Sequence, residues 1–129
     1  MATPHMRSPL SRAIGLGSAK KGAEHWWAQR ITALALVPLT VWFVVVVVEL
    51  AGADRALFVA WVRHPLPAVL LVLLMIATFY HGALGLQVVI EDYVENEARR
   101  LGLLIVMRLA AIVLAVLGIF AVLKLSLGA

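Results

Sequence analysis

The sequence predicts an all-α membrane protein built on three transmembrane helices. Three observations predict it. Of the 129 residues, 64% are hydrophobic and only 14% are charged, against about 45–50% apolar and about 25% charged in a soluble domain. The apolar residues gather into three blocks, each at least as long as a bilayer is thick. The charged residues fall almost entirely between those blocks. A soluble domain this small exposes too much surface to hide so much apolar area, and a disordered chain has the opposite composition.

Residues 1–30 are a polar, basic segment, expected to be cytoplasmic, followed by one anchor domain over 31–129. The first block, 31–50 (ITALALVPLTVWFVVVVVEL), carries one charge, Glu49, near its end. The second, 66–90 (LPAVLLVLLMIATFYHGALGLQVVI), carries none. The third, 101–127 (LGLLIVMRLAAIVLAVLGIFAVLKLSL), contains Arg108 and Lys124. A hydrocarbon core of about 30 Å needs about 20 helical residues, so each block is long enough. Stretches 51–65 and 91–100 read as connections, and Glu91, Glu95 and Glu97 as a solvated acidic loop. The run Val44–Val48 favours strand by propensity. Each block is nevertheless far longer than a strand and lacks a period of two. Backbone groups in lipid are satisfied within a helix. Pro38 sits early enough in its span to cost only a local distortion. Pro65 and Pro67 sit where a helix start tolerates proline.

Orientation follows from the lysines and arginines. Arg7, Arg12, Lys20, Lys21 and Arg30 precede the first span, and Arg99 and Arg100 lie in the second connection. The other side has Arg55, Arg63 and Lys124. The N-terminus is therefore expected on the cytoplasmic (or mitochondrial-matrix) side and the C-terminus in the opposite compartment, which for a bacterial inner membrane is the periplasm. The first block exceeds the 7–15 residues of a signal-peptide core and reads as a retained span. The net charge of +4 reports topology, with lipid and not nucleic acid as the implied partner. With no cysteine, thiolate metal sites and cysteine-ligated iron–sulfur clusters are excluded from this chain.

Several residues do not belong in lipid. His81 has no formal charge within nine positions on either side. Such a group faces a bundle interior, a partner or a cofactor. It is either a neutral histidine bonded to a neighbouring helix or a ligand, and imidazole is a common haem-iron ligand. At about 100° per residue, the 11-residue step from His81 to Asp92 returns to within about 20° of the same face. Gly85 lies one turn beyond His81 on that face. It either gives a flat porphyrin room or simply lets helices pack closely. Tyr93 ends the span where aromatic belts form. With Asp92 it offers a phenol donor and a carboxylate, the groups a quinone head needs at an interface. His25, Trp26, Trp27 and Arg30 approach the first span from the same side. Arg30, the last charge before 18 uncharged residues, either snorkels to head groups or holds an anionic group bidentately. Arg108 needs a partner that the sequence does not name. His5 and His64 read as tail and loop residues.

The stretch from His81 to Asp92-Tyr93, with its 11- and 12-residue spacing, and the segment GLGSAKKGAEHWWAQRITAL resemble the small hydrophobic membrane-anchor family of succinate dehydrogenase (respiratory complex II), in its alphaproteobacterial and mitochondrial-like form. That resemblance covers the whole chain. It implies three spans packing with a second anchor subunit into a helical bundle. It makes His81 an axial ligand of haem b, and so the residue on the haem iron, with the other ligand on the second anchor. Tyr93 would hydrogen-bond ubiquinone, and Asp92 would shape that site. Arg30, and more weakly His25, would lie near the haem propionates. An iron–sulfur subunit and a flavoprotein subunit would complete the enzyme, and this chain alone would not oxidise succinate. Catalytic residues in the narrow sense are not expected here. A quinol:fumarate reductase anchor and a small proton-relay transporter subunit are the alternative readings.

Overall fold

The computed structural model describes residues 18–128, with side chains from residue 22 onward. Arg7, Arg12 and His5 lie outside the described residues, as do the side chains of Lys20 and Lys21. Four helices follow in order: α1 (Ser18–Glu49), α2 (Arg55–Val62), α3 (Pro65–Tyr93) and α4 (Glu97–Leu127). Three of them, α1, α3 and α4, are long and apolar enough to cross a membrane. At about 1.5 Å per residue they reach beyond a core of about 30 Å. This is the expected all-α, three-span architecture, and no strand occurs among the described residues.

The helix ends follow local chemistry. α1 continues through Pro38, whose missing N–H removes one bond near the middle of the helix. It closes in a turn at Gly52, whose φ of +84° is a left-handed conformation that suits glycine. The Asp54 carboxylate caps α2 by accepting from the Leu57 N–H at 2.8 Å. α3 opens on Pro65 at its first position, where no N–H is needed. Val94 is extended and ends it. The Asn96 side chain then accepts from the Arg99 N–H at 3.0 Å and starts α4. Gly128, at φ +76°, ends α4.

The helices outrun the apolar blocks. α1 begins by Ser18, inside the stretch expected to be a polar tail, because hydrogen bonding within a helix continues past the bilayer boundary. Connection 51–65 contains α2, whose residues Phe58 and Trp61 give it an apolar side. Connection 91–100 shrinks to Val94–Asn96. Glu91 is therefore helical and belongs to α3, and Glu97 sits in the first turn of α4, favourable beside the helix dipole.

α3 is the middle of the layer. α1 packs on one side of it and α4 on the other, and the two flanking helices do not meet. α2 lies against α3 and α4, and its Trp61 stacks on Trp42 of α1 at 6.1 Å between ring centres. Gly118 marks the α3–α4 crossing: a Cβ there would lie 2.9 Å from Met75 Sδ. Among the described residues only Val46, Val62, Ala68, Leu71, Leu74 and Leu84 are buried, and α4 buries nothing fully. The apolar side chains point outward, so their stabilisation comes from lipid and from packing with other chains.

Candidate functional site

His81 sits two-thirds of the way along α3, half-buried against α1. Its Nδ1 lies 2.9 Å from the Thr32 hydroxyl. That hydroxyl also reaches the Ala28 carbonyl at 2.7 Å and the Gln29 carbonyl at 3.1 Å, one turn back on α1. A hydroxyl has one proton to give. Spent on the shorter bond to Ala28, it leaves the oxygen to accept from Nδ1–H. This assigns the proton to Nδ1 and leaves the Nε2 lone pair unused. Nε2 has no hydrogen-bond partner among the described residues, and it is not sealed off from the surface. The ring is thus fixed to α1 through Nδ1.

The glycines around His81 divide. A Cβ at Gly82 would meet nothing within 4 Å, whereas one at Gly85 would meet Gln29 Nε2 at 3.7 Å. The open approach beside His81 is therefore at Gly82, and Gly85 serves the α1–α3 contact. Asp92 and Tyr93 are both exposed at the end of α3, with Tyr93 82% exposed. Twelve residues of helix separate Tyr93 from His81 by about 18 Å along the axis.

The residues before the first apolar block do not converge on His81. Arg30 is exposed, and its guanidinium lies over the Trp26 ring at 5.1 Å. Trp26 meets Trp27 edge to face at 5.0 Å. Two residues separate Arg30 from Thr32, or about 200° around α1, so Arg30 faces away from the α1–α3 seam. His25 lies seven residues before Thr32 and therefore on nearly the same face. It is half-buried, with Nε2 enclosed and unpartnered. His64 is exposed at the N-cap of α3 and makes no capping bond. Arg108 donates to Gln87 Oε1 at 2.9 Å, and Gln87 Nε2 donates to Glu91 Oε1 at 2.8 Å. Among the described residues no group of three potential ligands surrounds a metal position.

Sequence reasoning missed Thr32, Gln87 and the Met75–Gly118 crossing. Thr32 was legible in part, because a hydroxyl in an apolar helix needs a partner. Which helix supplies it depends on the register of α1 against α3, which spacing within one helix does not contain. The same holds for Gln87 as the partner of Arg108.

Fold and polar groups together define a small multi-pass membrane subunit in which Thr32 meets His81 and Gln87 meets Arg108 across helix seams. The profile of the succinate dehydrogenase/fumarate reductase transmembrane subunit family matches residues 4–114, and the chain belongs to that family. Among curated proteins it is similar to the succinate dehydrogenase hydrophobic membrane anchor subunit of Rickettsia bellii, at 35% identity over 93% of this chain and 96% of the relative. The subunit of the same name from Paracoccus denitrificans is 31% identical over 95% of this chain and 94% of its own length. That from Rickettsia conorii is 32% identical over 83% and 86%.

Proposed function

We propose that this chain is the hydrophobic membrane anchor of a succinate:ubiquinone oxidoreductase, that His81 ligates haem b through Nε2, and that Asp92 and Tyr93 form part of the ubiquinone site. Family membership supports the anchor role. The bond between Thr32 and His81 Nδ1 carries the ligand assignment. The residues present fit the haem: a neutral imidazole with its free nitrogen accessible, beside Gly82, where the backbone is open. One such histidine supplies one ligand, so the second belongs to a partner anchor subunit. An iron–sulfur subunit and a flavoprotein subunit dock on the cytoplasmic side, where the basic charges concentrate.

When bound, the haem stores one electron within the membrane. Thr32 holds the imidazole plane by accepting from Nδ1–H, which keeps the ligating nitrogen deprotonated. Tyr93 is positioned by the end of α3 to donate its O–H to a quinone carbonyl. The Asp92 carboxylate beside it can accept and pass on a proton at the same interface.

His81→Ala in the intact complex tests the ligand. The expected result is a lost or altered reduced-minus-oxidised haem b spectrum, and an unchanged spectrum removes the assignment. Tyr93→Phe tests the quinone role. Quinone reduction should fall while succinate oxidation by an artificial acceptor persists, and a parallel loss of both activities counts against it.

A further inference from the structure

Above α3, between α1 and α4, runs an open groove of about 590 Å³. Its polar end is formed by Glu24, His25, Gln87 and Arg108, and its apolar part includes Ile76 and Ile112. Gln87 lies about 120° around α3 from His81, so the groove occupies the face of the layer away from the candidate haem ligand. Arg108 is a full charge within a membrane span, and ion pairing is the rule for such groups. Here its partner is the neutral Gln87 amide, and neither Arg108 nor Glu24 forms an ion pair among the described residues. His25 Nε2 is enclosed beside them and has no partner. The polar end is level with the turn of α3 that precedes Asp92 and Tyr93, where head groups meet hydrocarbon.

We propose that this groove binds a membrane phospholipid with a primary-amine head group. The phosphate accepts from Arg108, and the ammonium meets Glu24. One acyl chain lies along Ile76 and Ile112. The charge pattern selects the occupant. A guanidinium and a carboxylate in one groove match a zwitterion, whereas Glu24 repels a head group that is only anionic. A trimethylammonium head has no N–H to give Glu24.

The test uses the intact complex in nanodiscs of equal phosphatidylethanolamine, phosphatidylcholine and phosphatidylglycerol. Lipids retained after mild detergent release are counted by native mass spectrometry. A hydrogen bond to a charged group is worth about tenfold in exchange, so phosphatidylethanolamine, which has the N–H that phosphatidylcholine lacks, should be enriched over it by about that factor. Arg108→Gln should abolish the enrichment. Ala115→Phe, which fills the apolar part of the groove without touching the charges, should abolish it too. Equal enrichment in wild type and Ala115→Phe overturns the proposal, as does a preference for phosphatidylglycerol. Loss of a partner subunit from Arg108→Gln with retained lipid unchanged also overturns it, because a protein carboxylate is then the counter-charge. The subunits that copurify in the same spectra report on the proposed function separately.

Discussion

Replacing Thr32 by valine keeps the branched shape of the side chain and removes only the hydroxyl. Thr32 Oγ1 stands 2.9 Å from His81 Nδ1 and 2.7 Å from the Ala28 carbonyl. The bond to Ala28 can be lost cheaply, since that carbonyl already serves the helix. The bond to His81 costs more, because Nδ1–H then loses its acceptor, at about 1–3 kcal/mol unless Gln29 Oε1, enclosed and unpartnered on the same helix as Thr32, takes the bond. Loss of such an outer partner typically weakens metal binding by about 10–100-fold. A bonded Nδ1–H also makes the imidazole a stronger electron donor and so favours the oxidised iron. If about 1 kcal/mol of that preference is lost, the midpoint potential rises by about 40 mV for one electron. The assay is haem content per complex together with a redox titration of the haem b band. Thr32→Val should lower occupancy and raise the potential, and Thr32→Ser should restore both. Wild-type haem content and potential in an assembled Thr32→Val complex would refute the tautomer argument and the ligand role built on it.

Gly118→Leu should lower the thermal unfolding midpoint of the complex, by a destabilisation of about 1–3 kcal/mol, because the new side chain meets Met75 Sδ. Gly118→Ala should be milder, since the end of the methionine can move, and Met75→Ala should rescue Gly118→Leu in part. If Gly118→Leu melts at the wild-type temperature, the α3–α4 crossing is not as close as described. The chain has no cysteine, so single substitutions report topology cleanly. An impermeant maleimide added to intact spheroplasts should label Ala51→Cys and spare Glu95→Cys, and the reverse pattern would invert the proposed orientation. Gln87→Leu removes the partner of Arg108 and should destabilise the complex while leaving the haem spectrum as in wild type. A shifted spectrum would show that the groove and His81 are coupled.

Most of the fold was legible because lipid reduces folding to a question about length and polarity. Three blocks of sufficient length became three helices, and Pro65 and Asn96 fell where helix starts want them. What escaped was whatever lies outside lipid or between helices. α2 escaped because its eight residues, RALFVAWV, are apolar but too few to register as a span. Glu91 was assigned to a loop because its charge outweighed its helical period, yet Gln87 one turn earlier binds it. At the site, His81 was conspicuous from polarity alone, whereas Thr32 became visible only once α1 was set beside α3. Gly85 left two readings, room for a flat cofactor or close helix packing, and its contact with Gln29 favours packing, with the open backbone at Gly82.

The polar groups inside this membrane layer fall into two sets that share no hydrogen bond. One is Ala28–Thr32–His81, at the seam of α1 and α3. The other is Arg108–Gln87–Glu91, spanning α3 and α4. Six residues separate His81 from Gln87, which turns the helix through about 240° and places the two sets on different faces. A charge near a haem ligand shifts the balance between oxidised and reduced iron, and in a low-dielectric interior that influence is strong. Holding the Arg108 guanidinium to the Gln87 amide on a different face of α3 limits its influence on the imidazole. The six residues from 81 to 87, near one and two-thirds turns, are what set the two faces apart.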